Sequence, residues 1–157
     1  MTQENKDLLI KDLCSRLPYG VKCAIKNSYG YHHENVAKIG ETTIDKLKGF
    51  DGKYFNIHHD NPLDWDWYVS GVIVEDIKPY LFPMSSMTEE QENEWADLRL
   101  NPLGKILEGK FNGKEEHMQL LSKSISDPIQ WCYKNHFDCN GLIPLGLAIN
   151  ATGLNIY

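Results

Sequence analysis

The hydrophobic period of this chain changes across three residues, Pro18-Tyr19-Gly20, and that change narrows the possible folds more than any other feature. Upstream, Leu9, Ile10, Leu13, Cys14 and Leu17 recur at helical spacing, which predicts an amphipathic helix over Lys6 to Leu17 with Lys11, Asp12, Ser15 and Arg16 on its solvated side. Downstream, Val21-Lys22-Cys23-Ala24-Ile25 alternates with period two, as a half-buried strand does. Proline and glycine between the two patterns stop the helix. The chain therefore has to pack an N-terminal helix against a sheet.

Further β-prone pieces follow at Val36 to Thr43, Lys53 to His58 and Asp66 to Val74. Turn chemistry separates them at Asn27-Ser28, Asp51-Gly52 and Asp60-Asn61-Pro62. Connections this short favour pairing between sequence neighbours, so the expectation is a four-stranded antiparallel meander, which a curled sheet or a small SH3-like barrel would satisfy. Lys78 to Pro83 carries two prolines and reads as a crossing segment, suited neither to helix nor to central strand. Thr88-Glu89-Glu90-Gln91 matches a capping box and opens a helix running to about Leu100. Glu115 to Lys123 offers a further helix, and Asp127-Pro128 has the form of a helix start leading to His136. From Phe137 to Tyr157, Leu142, Ile143, Leu145, Leu147, Ile149 and Leu154 are interspersed with glycines, and Asp138 is the sole charge; this predicts a tail packed onto the domain. The fold class is α+β: an N-terminal helix, an antiparallel meander, C-terminal helices and an ordered tail, in one domain over residues 1–157.

Composition removes several function classes. With 41% apolar residues and 11% aromatics, including four Trp and eight Tyr, 157 residues supply enough buried area to order most of the chain. The longest apolar-looking stretch, Gly141 to Ile149, falls far short of the roughly 20 residues that span a bilayer. Met1 to Asp7 lacks the cationic-then-apolar pattern of a secretory signal, so a cytoplasmic location is expected. The four cysteines form no C-x-x-C spacing and are expected to be reduced, buried thiols. The net charge of −6 is uneven: residues 1–50 carry eight Lys/Arg against six Asp/Glu, and residues 51–157 carry eight against sixteen. Without a cluster of Lys and Arg to displace phosphate counterions, nucleic acid is disfavoured as a partner.

Three segments carry a resemblance: Leu8 to Val21, Ile77 to Glu90, and Asn135 to Asp138 with Gly141 to Tyr157. Together they resemble a group of uncharacterised small proteins of gut bacteria and their phages or mobile elements. The resemblance covers somewhat under half of the chain. It implies a genomic setting and brings no activity, cofactor or catalytic residue with it.

The candidate sites come from the residues themselves. Tyr31-His32-His33-Glu34-Asn35 and Ile57-His58-His59-Asp60-Asn61 each place two imidazoles and a carboxylate beside a turn, and a meander puts its first and third turns at the same end. His32, His33, His58, His59 and Asp60 could thus offer nitrogen and oxygen ligands to a divalent metal that activates water, although adjacent histidines on a strand point to opposite faces. Leu63-Asp64-Trp65-Asp66-Trp67 alternates so that Trp65 and Trp67 share a face, which serves a core or an aromatic binding surface equally. Glu89, Glu90, Glu92, Glu94 and Asp97 form an acidic run on a predicted helix: a solvated face, or a docking surface for a basic partner. No nucleophile elbow, P-loop or dinucleotide fingerprint occurs. The leading expectation is a non-enzymatic, intracellular interaction or accessory protein acting through an unidentified protein partner, with no cofactor. The alternative is a metal-dependent hydrolase built on the turn histidines.

Overall fold

In the computed structural model the first amphipathic pattern becomes α1, Gln3–Arg16, with Thr2 as its N-cap accepting the Asn5 N–H. The structure describes residues 1–26, 42–58 and 68–157; at 42–45, 57–58 and 68–70 it describes the backbone. Leu9 and Leu13 of α1 lie in the core as expected. Asp12 and Arg16 do not lie on a solvated side: both are 0% exposed. Arg16 Nε donates to Asp12 Oδ2 at 2.7 Å and Nη2 to Oδ1 at 3.1 Å, and Asn140 Nδ2 donates to the same Oδ1 at 2.8 Å. The i,i+4 spacing stacks the two charges on one side of the helix, so each neutralises the other where water is absent.

Chain contacts divide the protein into two compact units, residues 1–82 with 140–157, and residues 83–139. Among the described residues, the first unit holds a curled six-stranded sheet in the order β4-β3-β2-β1-β5-β6. Its first four strands, β1 Lys22–Lys26, β2 Thr42–Phe50, β3 Phe55–His58 and β4 Tyr68–Val72, pair antiparallel with their sequence neighbours, which is the expected meander. Asp51-Gly52 is the expected turn: Asp51 Oδ1 accepts the N–H groups of Lys53 at 2.9 Å and Tyr54 at 2.8 Å, closing the β2–β3 hairpin.

β2 departs from the expected strand, which covered Val36 to Thr43. Residues 36–41 lie outside the described residues, and the strand continues seven residues beyond Thr43 to Phe50. Leu47 and Phe50 both join the core although their spacing breaks period two. A register shift between Leu47 and Gly49 explains this: the extra residue turns Phe50 back to the core side, where it pairs with Phe55 at a ring separation of 4.6 Å. A second shift opposite Phe55 and Asn56 leaves Gly71 as the unpaired residue of β4, with φ +116°, a conformation side chains resist. Bulges of this kind raise local twist and suit a sheet that curls.

The segment expected to cross the fold is instead a strand. Ile77–Leu81 forms β5, antiparallel to β1 and parallel to the short β6, Ile149–Asn150. Pro79 is tolerated because of its phase. The Leu81 carbonyl accepts the Ala151 N–H at 2.8 Å, so alternate residues Pro79 and Leu81 turn their backbone groups away from β1, and β6 pairs only from Tyr80 onward. Where β1 and β5 part, the Tyr157 hydroxyl stands between them, accepting the Lys22 N–H at 3.2 Å and donating to the Tyr80 carbonyl at 2.8 Å. Burial pushes this phenol above its ordinary pKa, which keeps the bridging proton in place.

Cys23, Ile25, Ile77 and Leu81 join Leu9 and Leu13 on one side of the sheet, while Ala24 and Tyr80 pack with Ala151 on the other. Leu142, Leu147 and Ala148 complete the main core, so the C-terminal tail is ordered as expected.

The second unit is built on a helical hairpin. α2, Glu89–Leu107, starts with the expected capping box and continues seven residues past Leu100, through Pro102. α3, Gly113–Lys134, is one helix where two were expected: it runs through Asp127-Pro128, and Pro128 is buried within it. An interior proline costs a helix about 3 kcal/mol, which long continuous pairing of α2 with α3 can outweigh. Both helices end in the same six-to-one and five-to-two hydrogen-bond pattern. Gly109 at φ +67° serves α2, and His136 at φ +59° serves α3 in the place glycine ordinarily takes. Below α3, the Trp131 and Phe137 rings stack 5.5 Å apart and Cys132 Sγ meets Met84 Sδ at 3.9 Å. No helix among the described residues is long and apolar enough to cross a membrane.

Candidate interaction surface

The acidic run is presented by a well-anchored helix end. Thr88 Oγ1 accepts the Gln91 N–H at 3.3 Å and Gln91 Oε1 accepts the Thr88 N–H at 2.9 Å, which fixes the first turn of α2. Glu89, Glu90 and Glu92 in that turn face the positive end of the helix dipole. All five acids, Glu89, Glu90, Glu92, Glu94 and Asp97, are exposed. At 3.6 residues per turn, Glu90, Glu94 and Asp97 fall on one side of the helix and Glu89 and Glu92 on the other.

Between those sides runs the seam with α3. Gln91, Trp95, Leu98, Pro102 and Ile106 are half-buried at helical spacing, and the Arg99 guanidinium lies 5.0 Å from the Trp95 ring. On α3 the matching stripe is His117, Leu120, Leu121, Ser124 and Trp131, with His117 stacked on Phe111 at 4.8 Å. No residue of α2 is fully buried, although the helix carries one Trp, one Ile and four Leu.

The hairpin also carries a feature that sequence reasoning missed. Leu100, Leu103 and Leu107 on α2, and Met118, Ile125 and Ile129 on α3, are all exposed, Leu107 at 87% and Ile125 at 66%. The signal was present as i,i+3,i+7 spacing on α2 and i,i+7,i+11 spacing on α3, but ending α2 at Leu100 and breaking α3 at Asp127 cut across both stripes.

Of the expected metal ligands, His32, His33, His59 and Asp60 lie outside the described residues, as do Glu34, Trp65 and Trp67. His58 ends β3, opposite Lys46 of β2 and Tyr68 of β4. The C-terminal ends of β1 and β3 do point to the same end of the meander. Lys26 pairs with Thr42 and His58 with Lys46, so the two ends are offset by four residues along β2, about 13 Å at strand rise. Among the described residues, no group of three or more His, Cys, Asp or Glu side chains is placed to hold a metal ion.

None of the four cysteines is in a disulfide; Cys23 and Cys132 are buried as expected, whereas Cys14 and Cys139 are half-buried. Burial raises the Cys14 pKa, which disfavours the thiolate a nucleophile needs. No protein-family model, curated protein or solved structure matches this chain.

Proposed function

We propose that this protein acts through a protein partner rather than by catalysis, and that the acidic side of α2 is the surface the partner reads. It is an accessory protein of the phage or mobile-element kind, working in the cytoplasm. The observation that carries the reading is the disposition of Glu90, Glu94 and Asp97: three exposed carboxylates along one side of a helix whose first turn is held by a capping box. Charge fixed on a regular element steers a basic surface toward one orientation, and it does so more through on-rate and partner choice than through raw affinity. The overall charge of −6 adds to that field.

The test is capture from a native host lysate at moderate salt by the wild-type chain and by a Glu90→Lys/Glu94→Lys/Asp97→Lys variant. A basic protein retained by the wild type, released as salt rises and lost by the variant at unchanged helicity is the expected result. Failure to retain any specific partner, or equal retention by both chains, sinks the reading. Stoichiometric transition metal in tag-free protein, with stability raised by added zinc, would point instead to the hydrolytic alternative on His32, His33, His58, His59 and Asp60.

A further inference from the structure

The apolar side of the hairpin is a separate surface from the acidic side, and its role is independent of the acidic reading. On α2, Leu100, Leu103 and Leu107 lie about a third of a turn from the seam, and on α3, Met118, Ile125 and Ile129 lie about a third of a turn from theirs, in the same rotational sense. The two helices run in opposite directions, so equal rotations bring both stripes to the same side of the hairpin. Their neighbours on that side include Asn93, Ala96, Gly104 and Ser122, which are small and uncharged, while Glu89 and Glu92 share it only in the first turn of α2, at its margin. Apolar anchors among small neutral residues, with charge kept to the margins, make up the centre of a protein interface.

Area indicates what covers it. The six side chains together expose on the order of 600 Å², at the top of the roughly 300–600 Å² range for the largest apolar patch of a monomer and close to the roughly 800 Å² per partner of a stable dimer. Along α2 the two-helix layer leaves the seam half-buried, and no residue of that helix is fully buried. A second identical layer removes both deficits at once, because each copy supplies the same patch and the product is a four-helix bundle.

We propose that this side of the α2–α3 hairpin is a self-association surface, on which a second copy of the chain seats the same side about a two-fold axis.

The experiment is sedimentation equilibrium of the full chain from micromolar to millimolar concentration. Wild type is expected at twice the chain mass. Leu107→Glu/Ile125→Glu is expected to weaken association by ~100-fold or more and run as a monomer with unchanged circular dichroism. Leu107→Glu alone, at a position already 87% exposed, keeps the test valid if the double variant fails to fold, and it too should raise the dissociation constant. Glu90→Lys/Glu94→Lys/Asp97→Lys, on the other side, should leave the dimer mass intact. A wild-type chain that stays at monomer mass throughout, a Leu107→Glu chain that dimerises like wild type, or a monomer that seats a different protein on this side overturns the proposal.

Discussion

Asp12 and Arg16 show how strongly one pair of side chains can be tied to its setting. With both groups at 0% exposure, a two-pronged ion pair holds the charges together and the Asn140 amide gives Asp12 a further donor. Removing one partner strands the other, so Arg16→Met alone should cost about 3–5 kcal/mol, whereas Asp12→Leu/Arg16→Met should recover much of that loss; urea denaturation of both variants measures the difference. Glu75 makes a weaker, solvated pair, accepting from Lys6 Nζ at 2.7 Å with both side chains 37% exposed. The Lys6 hydrogen bond holds its carboxyl below the ordinary range. A depressed carboxylate contributes stability above its unfolded-state pKa and loses it as pH falls through the folded value. Glu75→Gln should therefore lower stability at neutral pH by no more than about 1 kcal/mol, given solvent screening, and should match wild type once acid has protonated Glu75. Thermal midpoints at neutral and acid pH read this out.

Among the elements, local signals succeeded where they set local geometry. The Thr88–Gln91 capping box and the Asp51 turn both formed as their residues predicted, because each is complete within four residues. Period-two reasoning failed at β2, since a bulge shifts phase and only the partner strand shows where the extra residue sits. Reading prolines as strand breakers failed at β5, where Pro79 is harmless because its side of the strand faces the short β6. Gly71 offers a direct check on the second bulge: at φ +116°, Gly71→Ala should destabilise the chain by about 1–3 kcal/mol, seen as a lower denaturation midpoint at unchanged m-value. In the hairpin, Asp127-Pro128 reads as a helix start and instead lies inside α3, and α2 continues through Pro102, since packing of α2 against α3 outweighs a local preference.

At the scale of the whole molecule, the hairpin carries Glu90, Glu94 and Asp97 on one side and its exposed apolar side chains on the other, and the two proposed contacts fall on different sides. Charge reversal should abolish partner capture while leaving the dimer intact, and Leu107→Glu should do the reverse, so the two measurements separate the readings. The amino-acid sequence by itself determined the α+β class, the helix-to-strand switch at Pro18-Tyr19-Gly20, the four-stranded meander and the acidic helix start, all of which depend on residues a few positions apart. Only the tertiary structure decided that Asp12 and Arg16 leave water together, that Ile77–Leu81 lies between β1 and β6, and that six apolar side chains of the hairpin stay exposed. Periodicity says which side of an element is apolar. What covers that side is settled by elements far away in the chain, and no local pattern encodes them.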